Sequence, residues 1–247
     1  MSHKKEEIIF GIYPVEQAIN ASVNLDKVFI QKDHTNPKLT DIINQLESQN
    51  VTINTVPKEK LNRLTRGNHQ GVVAMVSPVR FKSLEEIMEV TTGKEKPALF
   101  LILDQISDVR NFGAILRTAE CTGVDAVIVP KSGGAPITGD TVKASAGAIF
   151  NIPVCKVDHV KDAIFYMQAS GIETVAATEK TESTIYELDF NKPIAIIMGS
   201  EGKGISQSVL NLADRKAALP LLGEINSLNV SVACGALLYE AIRQRNF

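Results

Sequence analysis

Three short clusters of polar and glycine residues hold side chains whose types and spacing could do chemistry. In the first, Asp104-Gln-Ile-Ser-Asp-Val-Arg-Asn-Phe-Gly113 and the residues after it, Asn111 and Arg117 stand six positions apart. They lie on a segment whose apolar stripe is Phe112, Ile115, Leu116 and Ala119. Asn111 has the ordinary reading of a helix N-cap, and Arg117, off the stripe, that of a solvated cation. An amide and a guanidinium near the start of one helix also suit hydroxyl and anion binding. The second cluster, Met198-Gly-Ser-Glu-Gly-Lys-Gly-Ile205, sets three glycines around Glu201 and Lys203. Glycine lets a backbone come close to a ligand, but this spacing is neither a dinucleotide fingerprint nor a phosphate-binding P-loop.

The third cluster is a polar loop from Gly223 that runs into an amphipathic helix. Val230, Ala233, Cys234, Leu237, Leu238 and Ala241 recur at intervals of three and four, which puts them on one helical face. Asn226, Ser227 and Asn229 stand where the N-cap belongs. One cap satisfies the helix; the others read either as further capping groups or as spare donors and acceptors that suit a polar ligand. Arg243 and Arg245 near the end complement the helix dipole.

The elements that must position these clusters follow from the apolar rhythm. Ala98–Leu103, Ala126–Val129, Ile152–Lys156, Thr174–Ala177, Ile194–Met198 and Ala217–Leu219 are strand-length apolar runs separated by helical segments. Such runs predict a parallel sheet covered on both faces. Ligands on such sheets bind beyond the carboxyl ends of the strands, where the three clusters fall. Upstream, Lys27–Ile30, Val51–Val56 and Val72–Val76 alternate with a helical run at Leu39–Leu46, which predicts a smaller α/β unit. The expected division is a small domain over residues 1–79, a linker over 80–96 with a helix at Leu84–Val90, and a larger domain over 97–247. The small domain is punctuated by Thr65-Arg-Gly-Asn-His-Gln-Gly71. That loop reads as solvated, or as a contact for phosphates and base edges through Arg66, His69 and Gln70, with Lys60 and Arg63 nearby.

Composition narrows the function classes. With 247 residues, 44% of them hydrophobic, the chain can bury real cores. Neither a signal peptide nor a membrane span is legible, so a soluble cytoplasmic protein is expected. Cys121, Cys155 and Cys234 lack metal-ligand or disulfide spacing and read as small core residues. The net charge of −2 splits into +1 up to residue 96 (13 basic, 12 acidic) and −3 beyond it (13 basic, 16 acidic). Any nucleic-acid footprint must therefore be local. With no tryptophan and 5% aromatics, a general single-strand binder is disfavoured.

Taken together and in order, the clusters resemble the three motifs of the SpoU (TrmH) RNA 2′-O-methyltransferases of the SPOUT superfamily. Asn111-x5-Arg117 is similar to motif one, Met198 to Gly204 to motif two, and Leu219-Pro-Leu through Ser227-Leu-Asn-Val-Ser-Val-Ala233 to motif three. Phe10-Gly-Ile-Tyr-Pro-Val-Glu-Gln-Ala18 and His69-Gln-Gly-Val-Val-Ala74 resemble the small substrate-binding domain of many relatives. The nearest subgroup includes the enzyme that methylates a guanosine of 23S ribosomal RNA. One departure is Asp108-Val-Arg before Asn111, where many relatives have Pro-His; it bears on substrate more than on reaction.

The resemblance implies a Rossmann-like α/β domain with a C-terminal trefoil knot, which periodicity does not reveal and general fold rules disfavour. It implies a homodimer with the active site at the interface, S-adenosylmethionine as cofactor, RNA as partner, and no metal. Gly199, Gly204, Leu219 and Leu228 would bind the cofactor. Asn111, Arg117, Glu201, Ser227 and Asn229 would surround the reacting groups, while Arg66, His69, Gln70 and Arg110 would contact RNA. A guanidinium offers donors only and stays protonated, so Arg117 suits charge stabilisation better than proton removal. The alternatives are a transfer RNA target and an RNA-binding assembly factor without turnover. A nucleotide-dependent oxidoreductase is disfavoured because the Gly-x-Gly-x-x-Gly turn is missing after the first strand of the larger domain.

Overall fold

The structure is a computed structural model and describes residues 8–49, 51–91 and 93–247. The chain forms two compact units, with the main change between Arg80 and Phe81 and the short stretch Ile137–Gly139 grouped with the first. Among the described residues no helix is long and apolar enough to cross a membrane.

The first unit contains β1 (Ile8–Phe10), α1 (Ile12–Asn20), β2 (Leu25–Gln31), α2 (Pro37–Ser48), β3 (Thr52–Val56), α3 (Lys58–Leu64) and β4 (Val72–Val76). Its sheet has the order β1-β4-β2-β3 and is mixed: β2 and β3 run parallel, the other two pairs antiparallel. Strand alternation divides the core. Val28, Ile30, Val72 and Ala74 pack with Val15, Ile19, Leu39, Ile42 and Leu46 of α1 and α2, whereas Phe29, Val73 and Met75 pack with Leu61 of α3.

The second unit holds α4 (Leu84–Thr91), β5 (Leu99–Asp104), α5 (Val109–Cys121), β6 (Ala126–Pro130), α6 (Gly139–Ala144), β7 (Val154–Val157), α7 (Val160–Ala169) and β8 (Glu173–Ala177). It continues through β9 (Ile194–Gly199), α8 (Gln207–Leu210), β10 (Arg215–Ala217) and α9 (Val230–Asn246). Its six strands are all parallel in the order β10-β8-β9-β5-β6-β7. All six residues of the inner strand β5 are buried, as a strand covered on both faces requires. One face packs Phe100, Ile102, Ala126, Ile128, Ala195 and Ile197 against α7 and α8. Leu84 and Ile87 of α4 join that same cluster, so this helix belongs to the core of the second unit. Helices α5 and α9 pack together, burying Phe112, Ile115 and Leu116 of the first and Cys234, Leu237 and Leu238 of the second.

Three details depart from the sequence reading. The last strand lies two residues earlier than expected, so Leu219 is in the loop beyond it. Cys121 is exposed, while Cys155 and Cys234 are buried, and burial pushes both thiols up to about 12. Arg245 does more than complement a dipole. Its guanidinium donates to the carbonyls of Phe190 (2.7 Å), Pro97 (2.8 Å), Ala98 (3.2 Å) and Lys192 (3.2 Å), fastening α9 to the segments that enter β5 and β9.

Candidate active site

Strands β5 and β9 pair with Asp104 opposite Gly199, so their exit loops leave side by side at the middle of the sheet. Asp104 is buried, and its Oδ2 accepts the backbone N–H of Ser206 at 2.8 Å. That bond ties the far end of the β9 loop to the end of β5. Within the loop, Ser200 N–H donates to Gly204 O at 3.2 Å and Gly204 N–H to Ser200 O at 2.9 Å. The exchange makes a tight turn with Glu201, Gly202 and Lys203 at its tip. Gly202 (φ 82°) and Gly204 (φ 68°) sit in the left-handed region, and a Cβ on Gly199 would lie 2.1 Å from the Gly204 carbonyl carbon. At Gly199 the close approach is therefore to the loop's own backbone.

Helix α5 is capped by Asp108, whose Oδ1 accepts the N–H groups of Arg110 (2.9 Å) and Asn111 (2.8 Å). Asn111 is thus not the cap but a first-turn residue whose side chain is released for other work. Its Oδ1 accepts from Asn229 Nδ2 at 3.0 Å, and the same Nδ2 donates to Glu201 Oε1. Asn229 is the N-cap of α9: its Oδ1 takes the N–H of Ser231 (3.0 Å), the N–H of Val232 (3.3 Å) and the Ser231 hydroxyl (2.6 Å). One side chain from each cluster therefore meets at Asn229. Both of its amide protons and its carbonyl oxygen are engaged within the chain.

Beside this junction is a cleft of ≈ 670 Å³ at the carboxyl ends of β8, β9 and β10. Gly199, Gly204, Leu219 and Leu228 line it, as do Glu201, Ser227 and Asn229. Thr178, Glu179 and Lys180, just beyond β8, also line it and were not anticipated. The signal was available, because they follow a predicted strand at the same sheet edge. Arg117 does not join the cluster. It is exposed in the third turn of α5, and six residues at 100° each carry it roughly 240° around the helix from Asn111. Arg110 is exposed in the first turn.

In the first unit, the 65–71 loop is firmly built. His69 is buried; its Nδ1 accepts the Gly71 N–H at 3.0 Å and its Nε2 is 2.9 Å from Asn62 Oδ1. An accepting Nδ1 puts the proton on Nε2, which donates to Asn62. Burial, then the Lys58 ammonium, holds the imidazole below its ordinary value. Both ring nitrogens are committed within the chain, so the side chain expected at an RNA contact holds the loop together. Gln70 is exposed with φ 50°, and its Oε1 accepts the Ile12 N–H at 3.1 Å, capping α1. Arg66 is exposed.

The SpoU rRNA Methylase family model matches residues 98–239, and that for RNA 2′-O ribose methyltransferase substrate binding matches residues 8–82. A Staphylococcus epidermidis protein assigned to the TrmH family of tRNA/rRNA methyltransferases is 36% identical over 240 residues, spanning 97% of this chain and 96% of its own. A Staphylococcus aureus counterpart is 36% identical over 243 residues, 98% of each chain. In fold, the chain is similar to the AdoMet-bound rRNA methyltransferase of Sinorhizobium meliloti, with a TM-score of 0.60 at 24% identity over 96% of this chain and 86% of that one. The TrmH/SpoU tRNA modifying enzyme of A. aeolicus matches with a TM-score of 0.56 at 33% identity, covering 66% of this chain and 82% of its own. The chain belongs to the SpoU rRNA methylase family and is an S-adenosylmethionine-dependent RNA 2′-O-ribose methyltransferase.

Proposed function

We propose that the protein methylates the ribose 2′-hydroxyl of a guanosine in 23S ribosomal RNA, working as a homodimer with a knotted C-terminal domain. The observation that carries the catalytic part is the hydrogen-bonded junction of Asn111, Asn229 and Glu201 beside the cleft. The cleft suits the cofactor: its volume falls in the range of small-molecule sites, Met198, Leu219, Leu221 and Leu228 offer apolar surface for a purine, and Glu179, Lys180, Glu201 and Lys203 offer both charges for a zwitterionic end. Bound there, S-adenosylmethionine supplies a methyl group activated on a sulfonium.

The chain's own part is alignment, because a direct displacement depends on the angle and distance between the oxygen and the methyl carbon. Asn229 is a positioning residue, since its hydrogen-bonding capacity is spent on the cap, on Asn111 and on Glu201. Glu201 and Asn111, held by it, keep an oxygen and an amide for the ribose or the cofactor, and the Ser227 hydroxyl joins them from the cleft wall. Gly199, Gly204, Leu219 and Leu228 contact the cofactor, mainly through backbone. Arg117 stands away from its own cleft, which suits a guanidinium that serves the partner subunit's cleft across a two-fold axis. There its fork steadies a phosphate and the charge developing on the attacking oxygen. Val232, Ala236 and Tyr239, exposed at helical spacing on α9, provide apolar surface for such a dimer. Arg66, Gln70 and Arg110 contact the RNA.

The test is transfer of labelled methyl from S-adenosylmethionine to separate preparations of 23S ribosomal RNA and transfer RNA, followed by mapping of the modified nucleotide. Label on a guanosine of 23S RNA is the expected result. Label on transfer RNA alone would shift the target to the second reading, which the 33% identity to the A. aeolicus enzyme favours. No transfer to either would leave an RNA-binding role.

A further inference from the structure

The first unit exposes an aromatic ring that methyl transfer leaves unused. Tyr13, in the first turn of α1, is 68% exposed, and Phe10, three residues before it, is 37% exposed. Both belong to the surface on which the 65–71 loop is built. The Phe10 ring lies so close over Gly67 that a Cβ there would come within 2.3 Å of it. Gln70 reaches across to accept the N–H of Ile12, next to Tyr13. It does so from a left-handed backbone conformation unfavourable to a side chain of its kind, which the His69 bonds to Gly71 and Asn62 help to hold. The adjoining segment is basic: Lys58, Lys60, Arg63 and Arg66 are all exposed and are opposed within residues 58–66 only by Glu59.

We propose that Tyr13 is a stacking platform for one unpaired nucleobase of the RNA substrate, with the Gln70 amide at the base edge and the α3 and Arg66 cations on the flanking phosphates. The inference rests on the RNA reading above and adds the kind of RNA feature this unit selects. Every base has a π-face that an exposed phenol ring can cover, and bases in a duplex have that face hidden, so the ligand is a single strand, loop or bulge. The Oε1 of Gln70 is taken by Ile12, which leaves its Nε2 as a donor. Gln70 therefore suits a base edge that offers a carbonyl or ring-nitrogen acceptor.

The chain has no tryptophan, so Tyr13→Trp creates a single indole probe at the platform. The ligands are a fluorescein-labelled single-stranded RNA of mixed sequence, its blunt duplex, and heparin as a polyanion without bases. Tyr13→Ala is expected to weaken single-strand binding about tenfold or more, with Tyr13→Phe near the parent and heparin affinity unchanged. Emission of the Tyr13→Trp protein should be quenched by the single strand and not by heparin. Equal affinity of parent and Tyr13→Ala for the single strand, or equal loss toward heparin, overturns the platform. If the parent methylates ribosomal RNA while Tyr13→Ala binds it as well as the parent does, only the platform falls. If the parent neither binds nor methylates any RNA, the RNA reading falls and takes the platform with it.

Discussion

At the scale of single residues, Asn229 separates two roles that usually blur, because one amide both caps a helix and orders the candidate site. Serine caps a helix about as well as asparagine but is too short to reach Asn111 and Glu201 together. Asn229→Ser is therefore expected to keep stability within about 0.5 kcal/mol while methyl transfer drops at least tenfold; unfolding midpoints and single-turnover rates measured together would show the split. Arg117→Lys keeps the charge and loses the bidentate fork. Most of its activity should disappear with cofactor affinity unchanged, and near-normal turnover would show that fork geometry is dispensable. Resemblance to the family's motifs singled out Asn111, Glu201 and Asn229, but the sequence could not show that they touch, because their meeting depends on strand order. It could not place the His69 side chain for a related reason: whether a polar side chain faces solvent or the interior is decided by tertiary packing.

At the scale of elements, the strands were legible as apolar runs because a parallel sheet buries both of its faces. The edge strand β10 was placed too late. Only its last residue, Ala217, is fully buried, while Arg215 and Lys216 remain partly exposed and hide it from an apolar scan. Its anchorage is polar. Asp214, just before it, accepts from the N–H and hydroxyl of Thr174 and from Gln168. Burial pushes the Asp214 carboxyl up, but these hydrogen bonds outweigh it and hold it below its ordinary value. A depressed carboxyl contributes stability above its unfolded pKa, about 3.9, and loses it as pH falls through the lower folded value. Asp214→Asn should thus flatten the loss of stability below about pH 4, as read from urea midpoints across the acid range. The turn after β9 gives a second check. Gly199→Ala places a methyl against the Gly204 backbone and should cost roughly 1–3 kcal/mol, with cofactor binding lost more steeply than stability.

At the scale of the whole molecule, each unit buries its own apolar cluster, which makes their functions separable. Removing residues 1–80 is expected to leave S-adenosylmethionine affinity within a few-fold by calorimetry while abolishing methylation of ribosomal RNA; full activity of the truncated chain would move RNA selection into the second unit. Sedimentation should show the intact chain as a dimer, since Arg117 stands outside its own cleft. The junction at Asn229 also has a consequence in time. It joins residues 118 and 28 positions apart in the chain, and its hub is the N-cap of α9, so it is complete only once that helix is in place. Most of the sheet can assemble while the groups of the candidate site are still scattered, and they come into register only when α9 is wound and docked. In refolding experiments, the recovery of cofactor binding should lag the recovery of sheet signal, so a partly folded chain would be unable to spend methyl donor on the wrong RNA.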